Sequence, residues 1–356
     1  MILSRLVARR LDVPMREAFT IAGGAHTRVR NVLVEARLSD GTRGWGEAAP
    51  MPAFNGETQG DALCAIRLAQ PLLEGMRADR PRAWGSKLDR GGIGGSSARA
   101  AIEIAIFDAW ARAAKIPLFR LFGPGRGPVV SDVTIPIQSP ESAGRAAARL
   151  WKRGIRTLKV KVGTDPDADA DRMAAVAAAA PRARLIADAN AAYDKVQALR
   201  FLRLLRERRA TPALFEQPLG ARALKGMRAV QSEGGVPVAA DESATTARDV
   251  VRVARAGAAR VINIKLMKSG ILESLHMART AKACGLDLMI GGLVESRLSM
   301  TAAAHLARGL GGFRFIDLDT PFFLARDPMT GGRLNPDGEY RFASEDRGVG
   351  VRPRSA

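Results

Sequence analysis

The sequence predicts a closed parallel β/α barrel joined to a smaller α+β domain. From about residue 130, short apolar runs typical of strands alternate with amphipathic helical runs, and successive strand ends lie about 25 residues apart. The predicted strands are at 133–137, 157–162, 184–189, 212–217, 236–241, 260–265, 286–291 and 313–319. Eight units of this period are typical of a TIM-type (β/α)7β barrel. A doubly wound open sheet is the alternative, and the lack of a GxGxxG motif after the first strand disfavours it.

The N-terminal part has the mixed patterns of a capping domain. The patterns are strand-like at 29–38 and 44–47 and helical at 58–74 and 97–115. Beyond the barrel, the tail is rich in Gly, Arg and Pro. We therefore expect an α+β capping domain at 1–120, a catalytic barrel at 121–320, and a tail at 321–356 that packs back on the capping domain.

Composition limits the class of protein. The chain has 356 residues and 47% hydrophobic residues, enough for a large core, and no apolar run is long enough to predict a membrane span. Charges at Arg5, Arg9 and Arg10 argue against a secretory signal. Cys64 and Cys284 lie in helix-like segments, so we expect no disulfide framework and a cytoplasmic location.

The formal net charge of +19 admits two interpretations. A basic binding protein on a barrel scaffold, with a vestigial site, would use the charge to attract nucleic acid or acidic lipid. The arginines are spread along the whole chain without interleaved aromatic residues, which favours a general compositional bias. We expect a small-molecule substrate and neither nucleic acid nor membrane as a partner.

Lysines are rare beside arginines, and three of them lie at predicted strand ends. Arg cannot give up its proton, so a retained Lys is more informative. Lys159 and Lys161 share one face of a strand, where like charge and partial burial are expected to lower a lysine pKa towards neutrality. Lys265 ends the sixth strand, across the barrel. A base on each face of a planar intermediate predicts racemisation or epimerisation, whereas one active lysine would predict elimination or cycloisomerisation.

Three acids end successive strands. Asp188, Glu216 and Asp241 each follow an apolar run, so their carboxylates should converge at the mouth of the barrel. Converging carboxylates repel one another unless a hard cation joins them, and Mg²⁺ suits such a set. The alternative is that each acid caps the following helix.

These motifs together resemble a known family. LKVKVG, DAN (188–190), EQP (216–218), DES (241–243) and NIKL (263–266) are similar to those of the enolase superfamily, muconate-lactonizing-enzyme-like subgroup, and the resemblance covers almost the whole chain. It implies Lys161 and Lys265 as the acid/base residues and Lys159 as their tuning neighbour. It also implies one Mg²⁺ per subunit, with the ligands Asp188, Glu216 and Asp241.

A pair of acids on the last strand narrows the expected activity. Asp317 and Asp319 share a face and resemble the DxD of dipeptide epimerases, where it binds the free α-amino group. The resemblance implies an isomerase that inverts the second residue of L-Ala-L-Xaa dipeptides through a metal-stabilised enediolate, in a homo-oligomer. N-acylamino acid racemase, o-succinylbenzoate synthase and muconate-type cycloisomerase are the alternatives, and a purely structural acid pair would favour them.

Further candidates for substrate contacts are Glu295, Asn190, Gly23 and His26. Family members that act on alanyl-glutamate carry Arg at the place of Gly23, and only Arg28 or Arg30 could replace it here. We therefore expect a neutral or hydrophobic second residue in the dipeptide. His305, in the run TAAAHLA, is interpreted as a packed helix residue.

Overall fold

The computed structural model describes residues 1–21, 24–343 and 345–354, except for the side chains at 18–21 and 25–26. Its strands are β1 (Leu3–Ile21), β2 (Gly24–Leu38), β3 (Arg43–Ala48), β4 (Val129–Val130), β5 (Val133–Ile135), β6 (Thr157–Lys161), β7 (Arg184–Asp188), β8 (Leu214–Glu216), β9 (Val238–Ala240), β10 (Val261–Lys265), β11 (Asp287–Gly291), β12 (Phe313–Ile316), β13 (Met329–Gly331), β14 (Arg333–Leu334), β15 (Glu339–Arg341) and β16 (Val351–Pro353).

Its α-helices are α1 (Pro52–Asn55), α2 (Gln59–Leu73), α3 (Pro81–Arg90), α4 (Ser97–Ala113), α5 (Pro140–Arg153), α6 (Pro166–Ala179), α7 (Lys195–Glu207), α8 (Leu224–Glu233), α9 (Ala247–Ala256), α10 (Leu266–Ala283) and α11 (Arg297–Leu310). Two short 3₁₀ helices lie at Leu118–Leu121 and Thr320–Phe323. Within the described residues, no helix has both the length and the apolar character needed to cross a bilayer.

Strands β5 to β12 form one eight-stranded parallel sheet in which neighbours in space are neighbours in sequence. The Asp132 N–H donates to the Ile316 carbonyl at 2.8 Å and joins the two ends of the sheet. Helices α5 to α11 alternate with these strands, and each strand falls inside its predicted run. The predicted (β/α)7β barrel is therefore confirmed.

The interior of the barrel is apolar at the bottom and charged at the mouth. Six side chains from six different strands pack there as one buried cluster: Ile186, Leu214, Ala239, Val261, Met289 and Phe315. Strand side chains alternate between faces, so the residue two positions further along points into the same interior. Above Ile186 and Leu214 these positions are Asp188 and Glu216, which is how single strands supply both core and site.

The capping part contains an antiparallel sheet in the order β1-β2-β3, with α4 packed against β3. Strand β1 was not predicted. Its pairing with β2 shifts register near Leu3 and again between Pro14 and Phe19, which disrupts a simple alternation of apolar and polar residues. Several exposed arginines also lie in this strand, so the buried apolar positions Leu6 and Val13 do not stand out in the sequence.

A buried carboxylate ties this sheet to the barrel. Glu47, at the end of β3, accepts hydrogen bonds from the Asn31 amide at 2.7 Å and from the Ser296 backbone N–H at 2.9 Å. It also accepts from the Ser299 hydroxyl at 3.2 Å. Ser296 and Ser299 begin α11, whose N-terminus favours a negative charge. Burial nevertheless raises the pKa of Glu47.

The C-terminal segment lies against α4 and the 3₁₀ turn that follows it. The Val349 N–H donates to the Asp108 carboxylate at 2.6 Å, and Arg112 donates to the Val351 carbonyl at 3.0 Å. Strand β15 pairs with β4, and β16 pairs with β13. Cys64 and Cys284 are both free and exposed.

The contact between β3 and α4 requires glycine and gives a stability prediction. A Cβ at Gly46 would lie 2.0 Å from the Ala101 carbonyl oxygen, a backbone atom that cannot move aside alone. We expect Gly46→Ala to lower the free energy of unfolding by about 2–3 kcal/mol, measured by urea denaturation. Gly94→Ala is the matched control, because a Cβ there meets nothing within 4 Å. Equal stability of the two variants would contradict this packing.

Candidate active site

The register of the barrel strands gathers the predicted site residues. In the parallel ladders, Lys161 of β6 pairs with Asp188 of β7, and Asp188 pairs with Glu216 of β8. Paired residues on adjacent strands lie side by side on the same face, about 4.8 Å apart. Asp241 directly follows β9, and Lys265 ends β10. These side chains are therefore brought together at the C-terminal mouth of the barrel, and each is at most 8% exposed.

Lys159 is the central cation of the site. Its ammonium nitrogen lies 2.9 Å from Asp188 Oδ2, 2.8 Å from Glu216 Oε2 and 2.6 Å from Asp317 Oδ2. Lys161 shares Asp188 Oδ2 at 2.7 Å. The two lysines thus lie together, as their spacing predicted, and are held by a carboxylate between them.

Lys265 occupies the other side of the mouth. Its Nζ lies 2.6 Å from Asp241 Oδ2 and 5.5 Å from the centre of the Phe54 ring, which belongs to α1. Lys268, one turn into α10, donates to Asp241 Oδ1 at 3.0 Å and to the Asn263 carbonyl at 2.5 Å. Asp241 is therefore fixed from two directions by buried ammonium groups.

The predicted lowering of the lysine pKa is wrong for Lys159 in this arrangement. Burial lowers the pKa of Lys159, but the carboxylates of Asp188, Asp317 and Glu216 outweigh it and raise the pKa well above its usual value. Burial also opposes the charged form of Lys265, yet Asp241 and other carboxylates raise its pKa. The neighbouring acids, which the prediction left out, dominate over like charge.

The same competition between burial and neighbouring charge gives the three strand-end acids different pKa values. Burial raises the pKa of Glu216 to about 7, and the charge of Asp188 adds to this. Burial disfavours the charged form of Asp188, but Lys159 and Lys161 outweigh it and lower the pKa of Asp188. In the same way, Lys265 and Lys268 outweigh burial and lower the pKa of Asp241 to about 2.

The three strand-end acids offer suitable donors for a hard cation. Among the described residues, Glu216 Oε2 and Asp241 Oδ2 are buried and accept no hydrogen bond, although an ammonium group lies within 2.8 and 2.6 Å of them. Carboxylate oxygens from successive strands match the preference of Mg²⁺ for oxygen ligands. Asp188, Glu216 and Asp241 thus fit a Mg²⁺ site.

A second acidic group lies beside the first. Oxygens of Asp132, Asp317 and Asp319 are all within 4.8 Å of one another, and all three residues are buried. Asp319 accepts a hydrogen bond from the Thr134 N–H at 2.6 Å. Asp317 and Asp319 line the same cavity as the three lysines Lys159, Lys161 and Lys265. The DxD pair is therefore placed at the predicted site.

Comparison with known proteins now identifies the family. Residues 5–123 match the N-terminal domain model of mandelate racemase and muconate lactonizing enzyme, and residues 142–356 match the enolase C-terminal domain-like model. The chain belongs to the mandelate racemase/muconate lactonizing enzyme family. The family expected from the motifs is confirmed, and so is the prediction of an isomerase.

Individual relatives are similar over their full lengths. The "Aromatic dipeptide epimerase" of Herpetosiphon aurantiacus is 43% identical over 337 residues, which span 94% of this chain and 95% of the relative. The "Hydrophobic dipeptide epimerase" of Citrifermentans bemidjiense is 34% identical over 356 residues, 98% of this chain and 97% of the relative. The crystal structure of the dipeptide epimerase from Enterococcus faecalis, complexed with Mg and L-Leu-L-Tyr, has a TM-score of 0.95 at 32% identity and covers 99% of both chains.

The four other residues predicted to contact the substrate have different surroundings in this family member. Asn190 lines the cavity and accepts a hydrogen bond from Lys161 at 2.9 Å. Glu295 accepts from the Leu293 N–H at 2.7 Å, and burial raises its pKa to about 7. Gly23 lies outside the described residues, as does the side chain of His26. A substrate role for these four residues stays a prediction.

His305 is a packed residue, as interpreted. It is 1% exposed, and its Nδ1 accepts a hydrogen bond from the Phe119 N–H at 3.2 Å. Burial lowers its pKa to about 3, which keeps the ring neutral.

Sequence reasoning missed Leu293, Val294 and Asp132 among the residues of the site. The cavity is lined on one side by Met51, Ala53 and Phe54 of the capping part and by Leu293 and Val294 after β11. These lie in loops or in a four-residue helix, which carry no periodic signal. Asp132 was also missed, although an acid that immediately precedes an apolar barrel strand was visible in the sequence.

The central position of Lys159 gives a prediction on stability. Lys159→Met leaves three buried carboxylates without their shared cation, so we expect the free energy of unfolding to fall by about 3–5 kcal/mol in urea with a chelator present. Lys225→Met, which changes an exposed lysine of α8, is the control and should leave it unchanged. A stable Lys159→Met protein would show that these contacts do not hold the site together.

Proposed function

We propose that this chain is a Mg²⁺-dependent dipeptide epimerase that inverts the Cα of the second residue of L-Ala-L-Xaa-type dipeptides. The observation that carries the proposal is one cavity lined by Lys161 and Lys265, from the second and sixth barrel strands, and by the Asp317–Asp319 pair. The dipeptide epimerases among the relatives support it.

The acid pair supplies the specificity for a free amine. Asp317 and Asp319 are buried carboxylates that face the cavity, and an ammonium group satisfies them with charge-assisted hydrogen bonds. An N-acylated substrate would add no positive charge to the one that Lys159 already supplies at Asp317. The arrangement therefore favours dipeptides over N-acylamino acids.

The strand-end acids beside the cavity mark the place where the substrate carboxylate would lie. Asp188, Glu216 and Asp241 would hold Mg²⁺ there. When bound, the ion would supply positive charge that offsets the three acids and the charge developing on the substrate carboxylate. Lys159 contacts Asp188, Glu216 and Asp317, and so holds the strand-end acids and the Asp317–Asp319 pair in a fixed relation to each other.

Lys161 and Lys265 would carry out the proton transfer. In its neutral form one lysine accepts the α-proton of the second residue at Nζ, and the other, as an ammonium, donates a proton to the opposite face of the planar carbon. One proton leaves the Cα and one returns to its opposite face, so the dipeptide keeps its composition and the configuration at the Cα inverts. Asn190 positions Lys161 through their hydrogen bond, and Asp241 positions Lys265.

The apolar wall of the cavity determines which second residue fits. Met51, Phe54, Leu293 and Val294 face the region beside Lys265, and a hydrophobic or aromatic side chain buries favourably against them. Arg28 and Arg30 line a neighbouring cavity rather than this one. We therefore propose neutral, hydrophobic second residues. The homo-oligomer and the cytoplasmic location stay predictions.

The direct test is a dipeptide panel in D₂O. L-Ala-L-Xaa dipeptides are incubated with enzyme and Mg²⁺, and NMR follows deuterium at the second Cα and the appearance of the L,D product. We expect L-Ala-L-Phe or L-Ala-L-Leu to exceed L-Ala-L-Glu in kcat/KM by at least about tenfold, because the wall offers no cation to a side-chain carboxylate. N-Succinylamino acids serve as the control, and exchange of those compounds alone would refute the proposal.

Single-lysine variants test the two-base mechanism. Lys161→Ala and Lys265→Ala should each reduce epimerisation by about 10³-fold or more, because one face of the carbon loses its proton donor or acceptor. Each variant should still exchange the α-proton of one epimer, and the two variants should exchange opposite epimers. Lys225→Ala is the surface control. Normal epimerisation by either variant would rule out paired lysines.

A further inference from the structure

Asp132 is a buried acid that the proposed mechanism does not use. It immediately precedes β5, is 1% exposed, and lies with Asp317 and Asp319 in the group whose oxygens are within 4.8 Å of one another. Its backbone N–H donates to the Ile316 carbonyl, so the closure of the barrel fixes it at this place.

Asp132 differs from its two neighbours in lacking a donor. Within the described residues, neither of its buried carboxylate oxygens accepts a hydrogen bond. Asp317 receives the Lys159 ammonium at 2.6 Å, and Asp319 receives the Thr134 N–H at 2.6 Å. A buried carboxylate with neither cation nor donor is unfavourable, so the neutral acid is the form that suits this position.

The two carboxylates that face Asp132 also favour its neutral form. Burial raises the pKa of Asp132 well above its usual value, and the charges of Asp317 and Asp319 raise it further. Lys159, from β6, opposes them, but its ammonium is shared with Asp188 and Glu216. An additional cation at Asp317 and Asp319 would tip this balance towards the ionised form.

We propose that Asp132 is a positioning residue that holds a proton in the free enzyme and releases it when a substrate ammonium binds Asp317 and Asp319. The inference rests on the proposed function, which places the dipeptide amine at this pair. The O–H bond of the Asp132 carboxyl breaks, and its proton passes to water or buffer. The arriving ammonium and the departing proton carry the same charge, so the buried cluster keeps its net charge.

Proton release is measured by isothermal titration calorimetry of the Mg²⁺-loaded enzyme at pH 6.5, where the dipeptide amine is almost fully protonated. An equilibrated mixture of L-Ala-L-Phe and L-Ala-D-Phe is titrated in buffers of different ionisation enthalpy. We expect about one proton released per dipeptide by the wild type and close to none by Asp132→Asn. N-Acetyl-L-Ala-L-Phe, which lacks the ammonium, should release none. Asp337→Asn, at an exposed acid, is the matched control and should release as the wild type does.

The outcomes separate the two proposals. Equal proton counts in the wild type and Asp132→Asn, or no release by the wild type, overturn the inference and leave the epimerase intact, because deuterium exchange reports epimerisation independently. Complete loss of binding in Asp132→Asn also overturns it, since a neutral amide should preserve the free state and weaken affinity only about tenfold at pH 6.5. A wild type that neither binds nor epimerises any dipeptide overturns both. Asp132→Ser gives the same comparison if the asparagine variant does not fold.

Discussion

Pairing of buried charge is the constraint on which the rest of the site depends. Lys159 is 1% exposed and lies within 2.9 Å of three carboxylates that come from β7, from β8 and from the segment after β12. Each of these charges would be strongly unfavourable alone in the barrel interior. Together they hold the mouth of the barrel in one arrangement, in which Lys159 joins Asp317 to the strand-end acids Asp188 and Glu216.

The alternation of strand side chains explains why much of this arrangement was predictable. The apolar layer at Ile186, Leu214 and Ala239 fixes which face of each strand is interior, and Asp188, Glu216 and Asp241 lie two residues further on that face. Once the strands were identified by their apolar runs, the convergence of the acids followed from the parallel register. Asp317 and Asp319 were predicted on the last strand, but β12 ends at Ile316, so the turn that follows the strand brings both of them to the cavity.

Other features depend on distances that a sequence pattern does not contain. The direction of the Lys159 pKa shift is decided by Asp188 on the next strand and by Asp317, which is 158 positions away in the chain, and not by Lys161, which is two positions away. Strand β1 was missed because irregular pairing breaks its alternation. The role of Asp132 could not be inferred either, since it depends on which of three neighbouring acids lacks a donor. For Lys159 and Asp132 the partners are set by closure of the barrel, and local periodicity carries no information about them.

The apolar wall illustrates how selectivity can vary while the chemistry is kept. Its two halves belong to different parts of the chain, Phe54 to α1 and Val294 to the loop after β11. Asn31 of β2 links the Val294 loop to the capping sheet, because its amide donates both to Glu47 of β3 at 2.7 Å and to the Val294 carbonyl at 3.0 Å. The lysines and strand-end acids make none of these contacts and are held by the barrel ladders instead. Changes at Leu293 or Val294 therefore leave the barrel ladders intact, whereas the Phe54 ring centre lies 5.5 Å from Lys265 Nζ, so a change at Phe54 would alter the surroundings of that lysine directly.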